Sequence, residues 1–234
     1  GNSSTSTAIL YARSDTEQYA LAVEDEPGKV SEKLFFGNEK ELEAKLIEVR
    51  SRVVKNRESA RSVLHIDIPR QFFTAKTAAE NLYVIDLPGV GSKTEGEAAH
   101  VQKLMRRYLP VAQVCLVVCT ANTIQSLEVQ DGLEPYWRDK PGQYIVAATK
   151  AFSLGTVKDY FKKPRQEREK SFYDFVMEKY RTETREYLGR TSKVEVFPVE
   201  LADSFQKLWE SLEEEDRKEM TETRDRILQE LRQS

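Results

Sequence analysis

The chain has few of the residues from which small proteins build covalent or metal cross-links. Its 234 residues include two cysteines and two histidines. Cys115 and Cys119 lie four positions apart in one apolar run, so in a strand they would be about 13 Å apart, too far for a disulfide. They are predicted to be small core residues in a reducing compartment. His65 and His100 lie in separate segments without cysteine or histidine neighbours, which argues against a metal site built on them.

Long hydrophobic runs and a strong excess of one charge are also missing. No apolar run approaches 18 residues, which predicts no membrane-spanning helix, and the first residues lack the pattern of a signal peptide. The 36 basic and 39 acidic residues give a net charge of -3, so a broadly basic nucleic-acid-binding face is not expected. The length allows one large domain or two small ones.

Strand-like and helix-like segments alternate along the chain. The strand-like runs are 8–13, 19–24, 62–68, 82–87, 114–120, 144–148 and 194–199. Apolar residues at helical spacing indicate helices over 38–55, with Asn38 as cap, over 95–109 and 128–138, within 158–189 and from Ser204. From about residue 80 the alternation predicts an α/β sheet with helices on both faces.

Burial and domain limits are predicted from the same pattern. The apolar runs 82–87, 114–120 and 144–148 are expected to be buried strands. Near residue 213 the composition turns to Glu, Lys and Arg. We therefore expect a domain over 1–212 and a charged helix over 213–234, with the acidic run 213–216 on a solvated face.

The most informative motif is Asp86-Leu87-Pro88-Gly89, at the end of the run 82–87. An aspartate at the carboxyl end of a buried strand lies where α/β sheets bind ligands, and it can hold a Mg²⁺-bound water. A glycine three residues later lets a backbone N–H approach a phosphate. The motif indicates Asp86 and Gly89 as nucleotide-binding residues, and an ordinary turn after a strand is the alternative.

A second motif, Thr149-Lys150, follows the run 144–148. In nucleotide-binding GTPases, [NT]-K-x-D follows such a strand; the lysine stem lies along the base and the aspartate accepts two hydrogen bonds from guanine. Here the aspartate position is Phe152, and a phenyl ring accepts no such bonds. Thr149 and Lys150 are predicted to bind a nucleotide, guanine selectivity stays open, and an ordinary surface lysine is the alternative.

A third element is the hydroxyl-rich stretch 3–7 near the N-terminus. A hydroxyl residue just before the second strand of such a fold can ligate Mg²⁺ as a switch residue. Thr5 is chosen among the five as the predicted metal ligand and catalytic residue. A frayed polar terminus is the alternative interpretation.

Taken in order, these segments resemble the GTPase domain of the dynamin superfamily. Thr5 with Ile9 and Tyr11 fits the family's switch threonine and the strand after it. The other matching segments are 19–23, 35–39, 41–54, 62–69, 86–89 (the family's D-L-P-G), 114–122 (its strand ending in Ala-Asn), 146–150 (its T-K-x-D strand) and 194–199. The resemblance covers about residues 3–212, and the ordered series is more specific than any one motif.

The resemblance implies an α/β fold, a P-loop GTPase-like three-layer sandwich with a mixed, mostly parallel sheet. It implies GTP binding and Mg²⁺-dependent hydrolysis by in-line attack of water on the γ-phosphate. Thr5 and Asp86 would hold Mg²⁺, Gly89 N–H would contact the γ-phosphate, and Lys150 would pack on the base. It further implies a cytoplasmic homodimer that remodels membranes indirectly, through other domains, with no nucleic-acid partner.

One departure from the family is large, because G-x-x-x-x-G-K-[ST] occurs nowhere in these residues. The expectation is that the chain starts after the phosphate loop and the first, central strand. Two alternatives stay open. A non-catalytic relative would use a GTPase-like fold for assembly, with weak or altered nucleotide binding, which Phe152 favours. An α/β interaction protein without a nucleotide would leave the order of the motifs unexplained.

Overall fold

The computed structural model describes residues 7–55, 62–73, 82–88, 95–127, 140–153, 155–188, 194–201 and 205–234. The chain divides into two compact units, Gly1–Tyr108 and Leu109–Ser234. Each unit contains its own sheet. The helix predicted over 128–138 lies outside the described residues, and the division at residue 213 stays a prediction.

The first unit contains a mixed sheet. Its elements are β1 (Ala8–Arg13), β2 (Tyr19–Glu26), β3 (Lys29–Val30), β4 (Leu34–Phe36), α1 (Glu39–Lys55), β5 (Val63–Ile68), β6 (Tyr83–Asp86) and α2 (Glu95–Tyr108). The strand order is β3-β2-β5-β1-β6, and β4 also pairs with β2. β1 and β5 are parallel, whereas the other described pairs are antiparallel. The prediction of a mostly parallel sheet is therefore wrong for this unit.

Helix α1 begins at the predicted cap. Asn38 Oδ1 accepts a hydrogen bond from the Glu41 N–H at 3.1 Å, and Glu41 Oε2 accepts one from the Gly37 N–H at 2.9 Å. The first bond satisfies one of the N–H groups that the start of a helix leaves without a partner, and the second ties the residue before the cap to the first turn. Leu42 then packs into the core cluster that contains Ile9 and Leu64, so the cap and the apolar face act together.

A buried carboxylate, Glu24, connects three elements of the first unit. Its side chain is 3% exposed and accepts hydrogen bonds from Arg107 Nη2 at 2.7 Å, from His65 Nε2 at 2.8 Å and from the Gly28 N–H at 2.8 Å. Burial alone would raise the pKa of Glu24, but these donors outweigh it and lower the pKa to about 2. The ionised side chain therefore ties β2 to β5 and α2.

The second unit contains a parallel sheet. Its elements are β7 (Cys115–Thr120), β8 (Tyr144–Thr149), α3 (Gly155–Lys162), α4 (Phe172–Leu188), β9 (Glu195–Val199), α5 (Gln206–Ser211) and α6 (Glu214–Leu231). The strand order is β7-β8-β9 and both pairs are parallel. Residues 144–148 of the central strand β8 are all buried, which confirms the prediction of a buried strand there.

Two of the three strands predicted as buried are exposed. In β6, Tyr83 is 59% and Val84 is 54% exposed; in β7, Leu116 is 51% and Val118 is 62% exposed. Among the described strands, β6 and β7 each pair with one neighbour and lie at a sheet edge. An apolar run shows that a strand can be buried, but its neighbours in space decide whether it is.

The acidic run near residue 213 is also partly buried. Asp216 is 6% exposed and accepts hydrogen bonds from Arg168 Nη1 at 2.7 Å, Arg168 Nη2 at 2.9 Å and Arg165 Nε at 2.9 Å. The bonds from Arg168 are the main reason that the pKa of Asp216 is lowered. The prediction of a solvated face is therefore wrong for Asp216, because α6 packs back onto the unit.

Cys115 and Cys119 are both free and half-buried in β7. Burial raises the pKa of each thiol to about 11, so neither is a reactive thiolate at neutral pH. Within the described ranges, no helix has the length and apolar character needed to cross a membrane.

Candidate functional site

Polar side chains gather at the carboxyl edge of the second unit's sheet. The three strands are parallel, and the register pairs Thr120 with Thr149 and Thr149 with Val199. The strands therefore end side by side. The residues at and just after these ends, here called the carboxyl-edge cluster, are Thr120, Asn122, Thr123, Thr149, Lys150, Ser153 and Glu200. Ligands of α/β proteins bind outside this edge of parallel strands.

Lys150 has an unusual backbone conformation at the centre of this edge. Its φ is +56°, in the left-handed region, where residues other than glycine are uncommon. Such a conformation costs on the order of 1–3 kcal/mol and is concentrated at functional sites. The side chain of Lys150 is exposed. The structure thus places a predicted nucleotide-binding residue in a strained position directly after the buried strand β8.

Two buried side chains hold the turn that follows Lys150. Glu200 Oε2 accepts hydrogen bonds from the Phe152 N–H and from Ser153 Oγ, both at 3.2 Å. The Tyr180 hydroxyl donates to the Ala151 carbonyl at 2.9 Å. Burial, with a smaller contribution from nearby carboxylates, raises the pKa of Tyr180, so this donor stays protonated. These bonds from the buried side fix the turn, and the fixed turn keeps Lys150 in its left-handed conformation.

Phe152 contributes to the core and not to the exposed edge. It is fully buried, and its ring meets that of Phe172 edge-on, with centroids 5.1 Å apart. This is the position of the aspartate in [NT]-K-x-D. A ligand at the carboxyl edge would meet Lys150 but would find no base-reading carboxylate at residue 152.

The threonines of the cluster are oriented by local hydrogen bonds. Thr149 Oγ1 donates to the Cys119 carbonyl at 3.1 Å and so connects β8 to β7. Thr120 Oγ1 donates to Asn122 Oδ1 at 2.6 Å and lies 2.8 Å from Thr123 Oγ1. The exposed edge thus offers oriented hydroxyl and amide groups with one cation, Lys150. These groups suit binding of a polar ligand better than proton transfer.

Asp86 lies in the first unit, as the exposed last residue of β6. The antiparallel register pairs it with Ile9, so the end of β6 and the start of β1 lie side by side. Thr5 and Gly89 lie outside the described residues. Of the predicted metal ligands, the described ranges contain Asp86, and nowhere in them do three or more His, Cys, Asp or Glu side chains gather to hold a metal ion. The magnesium site stays a prediction.

The structure brings Thr149 and Lys150 together with residues that the sequence analysis did not name as site residues. Thr120 and Asn122 are among the first polar residues after the apolar run of β7, and Glu200 directly follows β9. The same rule that indicated Asp86, a polar side chain at a strand end, would have found them. That Glu200 is 2% exposed and supports the turn after β8 depends on tertiary packing.

Comparison of the chain with protein-family models and with curated protein sequences gives no match. The functional argument therefore depends on the geometry of the carboxyl-edge cluster and on the order of the sequence motifs.

Proposed function

We propose that this chain is the nucleotide-binding part of a dynamin-like GTPase that binds GTP with Mg²⁺ and hydrolyses it. The observation that supports this most is Lys150. This lysine has φ +56° and lies between the buried central strand β8 and a turn that two buried side chains hold in place. A strained residue at such a place is maintained at a cost in stability. The order of the motifs, from Asp86 to Thr149, supports the same proposal.

In this proposal the residues divide the work between base and phosphates. The Lys150 stem lies along the base, and Thr149 keeps the end of β8 in register with β7. Asp86 holds a metal-bound water, Gly89 N–H contacts the γ-phosphate, and Thr5 closes over the metal. Magnesium, when bound, neutralises charge on the phosphates. Dimerisation through this domain and indirect membrane remodelling belong to the proposal as well.

A second candidate function is favoured by Phe152. Because this side chain is fully buried, it offers no acceptor to a guanine edge. A catalytically weak or inactive GTPase-like assembly module, with altered nucleotide specificity, would have no need of that acceptor. The two candidates differ in base selectivity and in turnover, and both can be measured.

The test is a titration of the full-length protein that contains these residues with fluorescent GTP and ATP analogues, with and without Mg²⁺. Lys150→Gly removes the side chain and relieves the backbone, so a loss of affinity is attributable to the lysine. Lys158→Ala, an exposed lysine on α3, is the matched control. We expect Lys150→Gly to weaken nucleotide affinity about tenfold and the control to leave it unchanged.

The outcomes separate the candidates. GTP binding with turnover, sensitive to Lys150→Gly, supports the GTPase. Binding of GTP and ATP with similar affinity and no turnover supports the assembly module. Absence of binding for both nucleotides would contradict the GTPase. Thr5→Ala should abolish turnover while leaving the fold intact; unchanged turnover would show that another hydroxyl serves as the switch.

A further inference from the structure

The turn after β8 brings a second polar side chain close to Lys150. The Ser153 N–H donates a hydrogen bond to the Lys150 carbonyl at 3.3 Å. A turn closed by such a bond holds the Cα atoms of its first and fourth residues within about 7 Å of each other. A ligand in contact with Lys150 therefore lies near Ser153 as well.

Ser153 is the residue of this turn, besides Lys150, that can offer a polar side chain to a ligand. Ala151 and Phe152 are both 0% exposed, and neither side chain has a polar atom. Ser153 is partly exposed. Residue 152 is the base-reading position of [NT]-K-x-D, so the first polar side chain beyond that position is Ser153, one residue further along the chain.

The hydrogen of the Ser153 hydroxyl is used within the protein. Glu200 directly follows β9, and the register pairs Thr149 with Val199, so the turn after β8 and Glu200 leave the sheet side by side. Ser153 Oγ donates to Glu200 Oε2 at 3.2 Å, and Glu200 is 2% exposed. A hydroxyl has one hydrogen and two lone pairs. Because the hydrogen is bound to a buried carboxylate, Ser153 offers a ligand its lone pairs.

A group that can only accept hydrogen bonds discriminates between the two purine bases. The Watson–Crick edge of guanine presents two adjacent donors, N1–H and the 2-amino group, whereas adenine has the acceptor N1 and a C–H group at these positions. The lone pairs of Ser153 would accept from guanine but would face the N1 lone pair of adenine. Ser153 could donate to adenine only by giving up its bond to Glu200, which would lower stability.

We propose that Ser153 reads the base in the proposed nucleotide site, and that Glu200 restricts the Ser153 hydroxyl to accepting a hydrogen bond from guanine. This inference rests on the proposed function, because it requires that Lys150 packs on a base. Ser153 is then a specificity-determining residue and Glu200 a positioning residue. A neutral hydroxyl is a weaker acceptor than a carboxylate, so the preference for guanine is smaller than an aspartate at residue 152 would provide.

The test measures the Kd of ribose-labelled fluorescent GTP and ATP, with Mg²⁺, for the full-length protein that contains these residues. We expect the wild type to bind GTP about tenfold more tightly than ATP. Ser153→Ala removes the acceptor, so it should abolish this preference by weakening the binding of GTP and not of ATP. Ser153→Thr keeps the hydroxyl and should keep the preference. Ser211→Ala, at an exposed serine in α5, is the matched control and should change neither Kd.

Glu200→Leu tests whether the carboxylate restricts the hydroxyl. Without Glu200 the Ser153 hydrogen is free to donate to N1 of adenine, so the affinity for ATP should rise relative to that for GTP. A merely structural defect would lower both affinities alike. Adding Ser153→Ala to this variant should cancel the shift. Because Glu200 also supports the turn, circular dichroism checks that the variant folds; if it does not fold, Ser153→Ala alone decides the inference.

The outcomes separate this inference from the function on which it rests. A preference for GTP that Ser153→Ala abolishes supports the inference. The same preference in the wild type and in Ser153→Ala, or an unchanged ratio of affinities in folded Glu200→Leu, overturns it, and the GTPase proposal then stands if GTP binding is sensitive to Lys150→Gly. Equal affinity of the wild type for GTP and ATP overturns it in favour of the assembly module. Absence of binding for both nucleotides contradicts the GTPase and the inference together.

Discussion

The sheets of the two units handle polar side chains in opposite ways. In the first unit, a mixed sheet buries a charged residue, Glu24, near the end of β2, where three donors hold its carboxylate. In the second, the central strand β8 is apolar and buried along residues 144–148, and the polar groups lie at the strand ends. The fully parallel sheet is therefore the one that gathers polar side chains at a single edge, the edge at which α/β proteins bind ligands.

The difference follows from strand direction. Antiparallel neighbours bring the end of one strand beside the start of the next, as the pairing of Asp86 with Ile9 shows. Parallel neighbours bring equivalent ends together, as at Thr120 and Thr149. The second unit can thus have an apolar buried core and a polar edge. Variants that disturb either feature test this comparison.

The largest effect is expected where a charge is placed in the apolar core of the second unit. Phe152→Asp would recreate the T-K-x-D motif, but at a fully buried position. We expect it to lower the unfolding free energy of the second unit by about 3–5 kcal/mol and not to produce guanine selectivity. Urea unfolding followed by tryptophan fluorescence measures this, since Trp137 and Trp209 both belong to the second unit.

Phe152→Leu is the matched control for that variant. It keeps an apolar side chain and should cost about 1 kcal/mol. If Phe152→Asp were as stable as Phe152→Leu, residue 152 would have to face solvent, and the contrast between the apolar core and the polar edge would be lost.

The next largest effect concerns the buried charge of the first unit. The folded-state pKa of Glu24, about 2, lies below its ordinary value of 4.5, so the ionised form stabilises the fold. This contribution, about 3 kcal/mol, is fully present above pH 4.5 and is lost as the pH falls towards 2. We expect Glu24→Gln to lower the unfolding free energy of the first unit at pH 7. In this variant the unfolding free energy should also fall less steeply between pH 4.5 and pH 2 than in the wild type.

Urea unfolding at pH 7 and at pH 3, followed by NMR signals from β2 and β5, measures the effect of Glu24→Gln. Glu26→Gln is the control on the same strand, because the Glu26 side chain is 65% exposed. Loss of its charge should change the unfolding free energy neither at pH 7 nor at pH 3. Equal pH dependence in wild type and Glu24→Gln would show that the three donors do not hold the carboxylate ionised.

Much of this fold could be predicted from local pattern. Strand β1 and helix α1 have the predicted limits, because apolar spacing and a cap such as Asn38 act within a few residues. Thr149 and Lys150 were predicted as site residues for the same kind of reason. The left-handed φ of Lys150 could not be predicted, since Glu200 and Tyr180, which hold the next turn, are 50 and 30 positions away in the chain.

A smaller effect is expected from relief of strain at the polar edge. Lys150→Gly places glycine where φ is positive, at no steric cost. We expect the unfolding free energy of the second unit to stay unchanged or to rise by up to about 1 kcal/mol, despite the affinity lost in the nucleotide titration. Urea unfolding checks this. A fall of more than 1 kcal/mol would mean that the lysine side chain supports the fold.

The last prediction concerns chemical reactivity on the edge strand β7 and involves no change of stability. Because burial raises the pKa of Cys115 and Cys119 from 9.0 to about 11, alkylation at pH 8 should be about 100-fold slower than for a thiol of ordinary pKa. Mass spectrometry after timed treatment with iodoacetamide measures the rate. Rapid modification of both would show that the two thiols are not held in the half-buried positions that raise their pKa.

The sequence by itself determined where most strands and helices lie and that polar residues follow the ends of the apolar strands, because spacing, capping and turn chemistry act over a few residues. Tertiary structure decided which apolar strands lie at an edge, that Asp216 is buried against Arg168, and that Phe152 joins the core instead of the site. Each of these depends on which distant segment packs alongside. A residue's own neighbours in the chain do not contain that information.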